Sequence, residues 1–257
     1  MNIIQDNLNF LSLFKRNFLY KFKKKINIDI DNIQKDSLED LFSYYGTDKA
    51  NLKDNGKDQG HGFSKFYVNH LEIFKNKKIK ILEIGSYSGA SAAAFVKYFP
   101  NSEIFCLDVN LLNFKYSSKK IYPFGINSSN NIMISKFLSK IDFFNSIKNF
   151  DIIIDDGSHK QSDQLFALDF FYKYVVAGGF YIIEDYKFPN YFTHLNDVDD
   201  LKINDLIIKI NNKENITSKL ISQNTIDDIF KNNLKIFEYK GNTDISDIVF
   251  FEKKVTF

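Results

Sequence analysis

From Lys78 onward, short apolar runs alternate with stretches in which apolar residues recur every three to four positions. Residues Ile79–Gly85 (IKILEIG) predict a buried strand. Gly89–Phe99 (GASAAAFVKYF) predicts a helix, closed by Pro100. A second strand is expected at Glu103–Val109, a third at Lys119–Ile126, a fourth at Phe150–Asp156 and a fifth at Gly178–Tyr186. Helices are expected within Asn131–Ile147 and from Lys160 to Val175. Strands that are apolar throughout fit a parallel sheet covered on both faces, and β-α-β alternation gives that architecture. The end of the chain differs. Leu234–Gly241 and Asp247–Lys254 are strand-like runs joined by five residues, too few for a crossover helix, so they predict an antiparallel hairpin. The expectation is an α/β fold with a mostly parallel sheet ending in a hairpin.

Two regions lie outside this rhythm. Residues 187–233 are polar with weak helical patterning, and they follow a strand's carboxyl end, where a substrate lid could form. Asn9–Ile26 is apolar and basic, with Leu11, Phe14, Phe18 and Phe22 at helical spacing. It reads as a helix packed on its own domain or on a second subunit, or as a basic amphipathic helix at a membrane surface. Lys15 and Arg16 interrupt it early and no small-residue cleavage site follows, which argues against a signal peptide.

Composition narrows the function. The 257 residues fit one large domain, or one domain with an appendage. A net charge of +2 is too balanced to imply a nucleic-acid partner. Cys106 is the single cysteine, so no intrachain disulfide exists and a reducing, cytoplasmic setting is expected. No apolar run approaches the roughly 18 residues of a membrane span.

Open α/β sheets bind ligands beyond the carboxyl ends of their strands. There the first strand carries Glu83-Ile84-Gly85-Ser86-Tyr87-Ser88-Gly89, the second Asp108, the fourth Asp155-Asp156-Gly157-Ser158-His159, and the fifth Glu184-Asp185. Gly85 and Gly89 suit either a tight turn or close backbone approach to a nucleoside cofactor, with Asp108 placed for ribose hydroxyls. The full dinucleotide fingerprint is absent, which disfavours a nicotinamide enzyme. If the fourth and fifth strands are neighbours, Asp156, Glu184 and Asp185 converge. Three unpaired carboxylates would repel, and a hard divalent cation such as Mg²⁺ or Mn²⁺ removes the conflict. Asp156 could alternatively cap the next helix, the role expected of Asp155. His159 is a candidate general base, or a histidine merely bonded at a helix start.

Four blocks, Tyr44–Ala50 (YYGTDKA), Ile81–Ser91 (ILEIGSYSGAS), Phe150–His159 (FDIIIDDGSH) and Gly178–Tyr186 (GGFYIIEDY), together resemble the metal-dependent macrolide and sugar O-methyltransferases of mycinamicin type. The resemblance implies a Rossmann-like class I methyltransferase fold with a seven-stranded sheet. The resemblance covers roughly Tyr45–Tyr186 and does not extend to the first 40 residues or to 187–233; a helical extension over 1–40 and a methyltransferase domain over 41–257 with a lid insertion at 187–233 are expected. S-adenosylmethionine would bind at Tyr45, Thr47, Lys49, Glu83, Gly85, Ser86, Gly89, Ser91 and Asp108. Asp156, Glu184 and Asp185 would hold Mg²⁺ or Mn²⁺, and His159 would be the catalytic base. The family's Gly-Asp pair near adenine reads Gly125-Ile126-Asn127-Ser128 here, so Asn127 and Ser128 are expected at the adenine. The implied acceptor is a sugar hydroxyl; the Lys-, Asn- and Ile-rich composition favours a small sugar or nucleotide-sugar of a glycan-precursor pathway over a macrolide, and a homo-oligomer is expected. A non-sugar diol acceptor, or a non-catalytic binding relative, are the alternatives.

Overall fold

The computed structural model describes residues 3–145 and 147–254, without side chains for 3–9, 144, 145, 233 and 234. Seven strands form one sheet: β1 (Ile79–Ile84), β2 (Ser102–Asp108), β3 (Ile121–Gly125), β4 (Phe150–Asp155), β5 (Val175–Glu184), β6 (Asn233–Lys240) and β7 (Asp247–Lys253). Their spatial order is β6-β7-β5-β4-β1-β2-β3. The first five run parallel to one another; β7 runs antiparallel to β5 and to β6. The predicted parallel sheet with a terminal hairpin is the observed one.

Both faces of the sheet are buried, which is why its central strands carry apolar residues at consecutive positions. Ile152, Ile154, Phe180, Ile182, Ile248 and Phe250 enter one core. The intervening Ile153, Tyr181, Ile183, Val249 and Phe251 enter the other, as the two-residue strand period requires. Each such side chain contributes about 1.5–3 kcal/mol relative to exposure. Helices α2 (Leu38–Tyr45), α3 (Ser64–Leu71) and α4 (Ala90–Tyr98) cover the first face. Helices α5 (Asn131–Asn145), α6 (Gln161–Phe171), α8 (Ile203–Asn212) and α9 (Gln223–Asn232) cover the second. Between α6 and α8 lies one helical turn, α7 (Phe188–Tyr191). Leu206, Ile207, Ile226 and Ile229 are buried, so much of the 187–233 stretch belongs to the second helical layer.

Helix α1 (Ile3–Tyr20) lies outside these layers and packs against the edge strand β3, where the Asn17 amide donates to Gly125 O at 2.7 Å. Helix α2 begins at Ser37, whose hydroxyl accepts the Asp40 N–H, and ends at Gly46 in the left-handed region (φ 76°). That stop turns Thr47–Lys49 toward the carboxyl ends of the sheet. Among the described residues, no helix is long and apolar enough to cross a membrane.

Candidate active site

Strands β1 and β4 are adjacent, although their sequence neighbours lie on opposite sides, so the strand order reverses between them. A crevice opens at such a point. Its base is set by Gly85, held at φ 83°, where a β-carbon would lie 1.9 Å from Asp156 O. No side chain fits there, and the two strand ends approach because position 85 has none. Gly89 has a related reason: a β-carbon would meet the Phe114 ring at 2.5 Å.

A cavity of about 710 Å³ fills this crevice. Thr47, Lys49, Gly85, Ser86, Ser91, Asp108, Asn127, Ser128, Asp156 and His159, all expected at the site, line it. Asp108 accepts the Tyr87 N–H at 2.7 Å and the Asn110 N–H at 2.6 Å. These bonds fix the carboxylate and leave about half of its four acceptor positions free, enough for a pair of ribose hydroxyls. On the opposite wall, Asp163 of α6 accepts the hydroxyls of Ser129 (2.5 Å) and Ser158, tying the loop after β3 to the loop after β4. Asn127 Oδ1 accepts the Ser129 N–H, so Asn127 also shapes that loop.

Two other expected residues, Glu83 and Tyr45, stand behind the lining, whereas Asp155 is part of it. Glu83 is buried; one oxygen accepts the Ser91 hydroxyl at 2.5 Å and Oε2 has no partner, and burial raises its carboxyl. Tyr45 turns toward the N-terminal region, its hydroxyl 3.3 Å from Asp31 Oδ2 and its carbonyl accepting the Tyr116 hydroxyl. Asp155 does not cap a helix. Helix α6 starts after Lys160 with no side-chain cap, while Asp155 Oδ1 accepts the Gly157 N–H at 3.3 Å. Its other oxygen is buried without a partner, and burial pushes the carboxyl up to about 8.

The acidic end of the cavity is organised by a lysine. Lys49 is only 2% exposed, and its ammonium donates to Asp156 Oδ2 (2.5 Å) and Glu184 Oε2 (2.7 Å). Glu184 Oε1 accepts the Tyr67 hydroxyl. Both Glu184 oxygens are therefore engaged. Burial raises the Asp156 and Glu184 carboxyls and the lysine opposes it. Burial also works against the Lys49 charge, but the two carboxylates hold it well above its usual range. One ammonium cannot neutralise two carboxylates, so the network keeps a surplus of negative charge.

That surplus faces a second group. Asp156, His159 and Asp185 each present one ligand atom, all within 4.8 Å of one another. His159 Nε2 is 3.8 Å from Asp156 Oδ1, and the ring rests on Phe188 of α7 with centroids 4.9 Å apart. His159 and Asp185 both hold left-handed backbone (φ 57° and 50°), which re-aims their side chains after the strands end. Asp185 Oδ1 is buried with no hydrogen-bond partner. His61 Nδ1 lies 3.2 Å away, as a charge contact without hydrogen-bond alignment. Burial disfavours the His61 cation, but Asp185, with Asp48 and Glu184, outweighs it and raises the group to about 9. An orphaned carboxylate oxygen beside a second carboxylate fits a hard divalent cation such as Mg²⁺ or Mn²⁺, and the adjacent imidazole is left free for proton transfer.

No family model matches the chain. Mycinamicin VI 2''-O-methyltransferase of Micromonospora griseorubida is 28% identical over 159 residues, 59% of this chain and 36% of that enzyme. L-olivosyl-oleandolide 3-O-methyltransferase of Streptomyces antibioticus is 28% identical over 51% of this chain and 34% of its own length. The chain thus spans about a third of the curated relatives it matches. MycE methyltransferase of the mycinamycin biosynthetic pathway, solved in complex with Mg, SAH and mycinamycin VI, superposes with a TM-score of 0.62. The superposition covers 86% of this chain and 55% of that one at 23% identity. The chain has the class I methyltransferase fold of the mycinamicin-type enzymes.

Three features of the site were not read from the sequence: the Lys49 network, the hydroxyl of Tyr67, and the Asp163 clamp. His61, in the loop before α3, stands against Asp185. Lys49 and Asp156 are 107 residues apart, and nothing local marks a lysine as buried. The His61 signal was its glycine-flanked loop, Gly60-His61-Gly62, in which position 62 is left-handed (φ 65°).

Proposed function

We propose that this protein is a divalent-metal-dependent O-methyltransferase that moves the methyl group of S-adenosylmethionine to a sugar hydroxyl. The observation that carries this is the convergence of Asp156, His159 and Asp185, the first two of which line the same cavity as Gly85, Ser86 and Asp108. The named relatives methylate sugar-bearing natural products, which supports a sugar acceptor. We place the acceptor among nucleotide-activated sugars and glycan precursors, small enough for the open end beside His159.

The cofactor, when bound, supplies an activated methyl group, and the cation, when bound, supplies Lewis-acid charge for the acceptor oxygens. The residues of the chain do the rest. Asp108 anchors the ribose. Asp156 and Asp185 hold the cation, and Glu184 supports Lys49 beneath them. His159 takes the proton of the acceptor hydroxyl at Nε2. Phe188 and the side chains around it hold the imidazole in place, and orientation supplies much of the rate gain.

The test is release of S-adenosylhomocysteine from a panel of nucleotide-sugars with Mg²⁺ or Mn²⁺. Chelation should abolish release. His159→Ala should lower turnover roughly 10²–10⁴-fold while calorimetric cofactor affinity is kept, and Asp108→Ala should weaken that affinity. Turnover that is indifferent to chelation, or near-normal in the histidine variant, would overturn the reading.

A further inference from the structure

Helix α1 is held by one side only. Leu13 is buried, Tyr20 meets the Phe114 ring edge-on at 6.3 Å, and Arg16 donates to Val109 O at 3.1 Å. Gly125 leaves room for this seat: a β-carbon there would lie 1.6 Å from Asn17 Oδ1. Among the described residues, the opposite arc has no partner. Phe10, Leu11, Phe14 and Phe18, with Phe22 just beyond the helix, are between 51 and 75% exposed. Positions 10, 14, 18 and 22 recur every four residues, so the rings form one stripe. Phe18 and Phe22 already touch, with centroids 5.3 Å apart.

The charge around that stripe has one sign. Lys15, Arg16, Lys21, Lys23, Lys24 and Lys25 fall in eleven residues, and no Asp or Glu lies between Asp6 and Asp29. The whole chain nets only +2, so the rest of the molecule is net negative. Arg16 and Lys23 are engaged with backbone carbonyls, and Lys25 covers the Tyr20 ring at 4.2 Å. Lys15, Lys21 and Lys24 are exposed beside the aromatic stripe.

We propose that α1 and the turn after it lie in the interface of an anionic lipid membrane, Phe10, Phe14, Phe18 and Phe22 in the acyl boundary and the lysines among the headgroups. Aromatic rings on one arc and cations at its margins are the composition that binds such interfaces. A second copy paired through this arc would set two basic segments against each other. The net negative body orients the molecule with α1 toward an anionic surface and the acidic remainder away from it. The binding does not depend on the enzymatic reading, because none of these residues belongs to the catalytic site.

The experiment is co-sedimentation of the full chain with vesicles of phosphatidylcholine alone, or with about 30% phosphatidylglycerol, a composition in which each nearby cation gains binding. We expect sedimentation with the anionic vesicles only. It should be released as salt rises from 0.1 to 1 M, because the Debye length shrinks from about 10 to 3 Å. The variant Phe14→Ser/Phe18→Ser should partition about 10- to 100-fold more weakly, with an unchanged melting temperature because both rings are exposed. Three results would each overturn the proposal: no binding to anionic vesicles, equal binding to neutral ones, or undiminished binding by the double variant. Size-exclusion with light scattering guards the remaining case: a concentration-dependent dimer lost in the double variant, without vesicle binding, assigns the stripe to a second copy.

Discussion

Replacing Lys49 by Met tests whether the acidic end of the cavity is held together by a buried counter-charge. Met keeps the stem and removes the ammonium that bonds Asp156 and Glu184 at 2.5 and 2.7 Å. Removing one partner of a buried pair costs about 3–5 kcal/mol, because the other charge stays buried. Asp156 is 22% exposed and recovers some hydration, whereas Glu184 is 3% exposed and does not. The expected loss is therefore near the lower end, about 3 kcal/mol at pH 7, read from urea unfolding in the presence of a chelator. Without the ammonium, both carboxyls rise further from their usual range, so the folded state binds protons the unfolded state releases. The variant should thus gain stability as the pH is lowered from 8 toward 5. Millimolar Mg²⁺ should restore more stability to the variant than to the wild type, since a ligand at 100 times its Kd contributes about 2.7 kcal/mol. A loss below about 1 kcal/mol, with no difference in the effect of Mg²⁺, would refute the counter-charge argument.

Two further predictions concern the scaffold. Gly85→Ala places a methyl group against Asp156 O in left-handed backbone; it should cost about 1–3 kcal/mol in strain and abolish calorimetric cofactor binding, and wild-type affinity would contradict the proposed strand-end approach. His70 lies against the Phe237 and Phe250 rings with Nε2 2.8 Å from the Tyr239 hydroxyl, and burial lowers its pKa below 6.5. The neutral ring is favoured in the fold, so its contribution is complete above pH 6.5 and is lost as the pH falls through the lower folded value. Denaturation from pH 7 to 5 should show that slope in the wild type and a flatter one in His70→Gln.

What could be read from the sequence depended on whether a residue's role is local. Strands β1, β2, β4 and β5 announce themselves because residues such as Ile152, Ile153 and Ile154 are buried alternately in two cores, leaving no polar position in the run. Asp156, His159 and Asp185 were legible because the end of a parallel strand is a place the topology reserves for ligands. Glu184 was placed at the right strand end, yet its oxygens are taken by Lys49 and Tyr67, contacts made across more than a hundred residues. Tyr45 belongs to a recognisable block, and its hydroxyl nonetheless reaches Asp31. Asp155 looked like a helix cap, but α6 begins too far along the chain for it to serve. One local signal went unread: Asn55-Gly56, at φ 49° and 77°, makes a two-residue hairpin between Lys53–Asp54 and Lys57–Asp58.

Lys49, His61 and Tyr67 all precede the first strand of the sheet. The boundary at Lys78, where the α/β alternation begins, is therefore not a place to divide the protein. A fragment cut there would carry every strand of the seven-stranded sheet and most of the cavity wall. It would also expose Asp156, Glu184 and Asp185 with no cation of the chain's own beside them. The segment before the sheet is the electrical half of the site: it supplies the cations, and the strand ends supply the carboxylates.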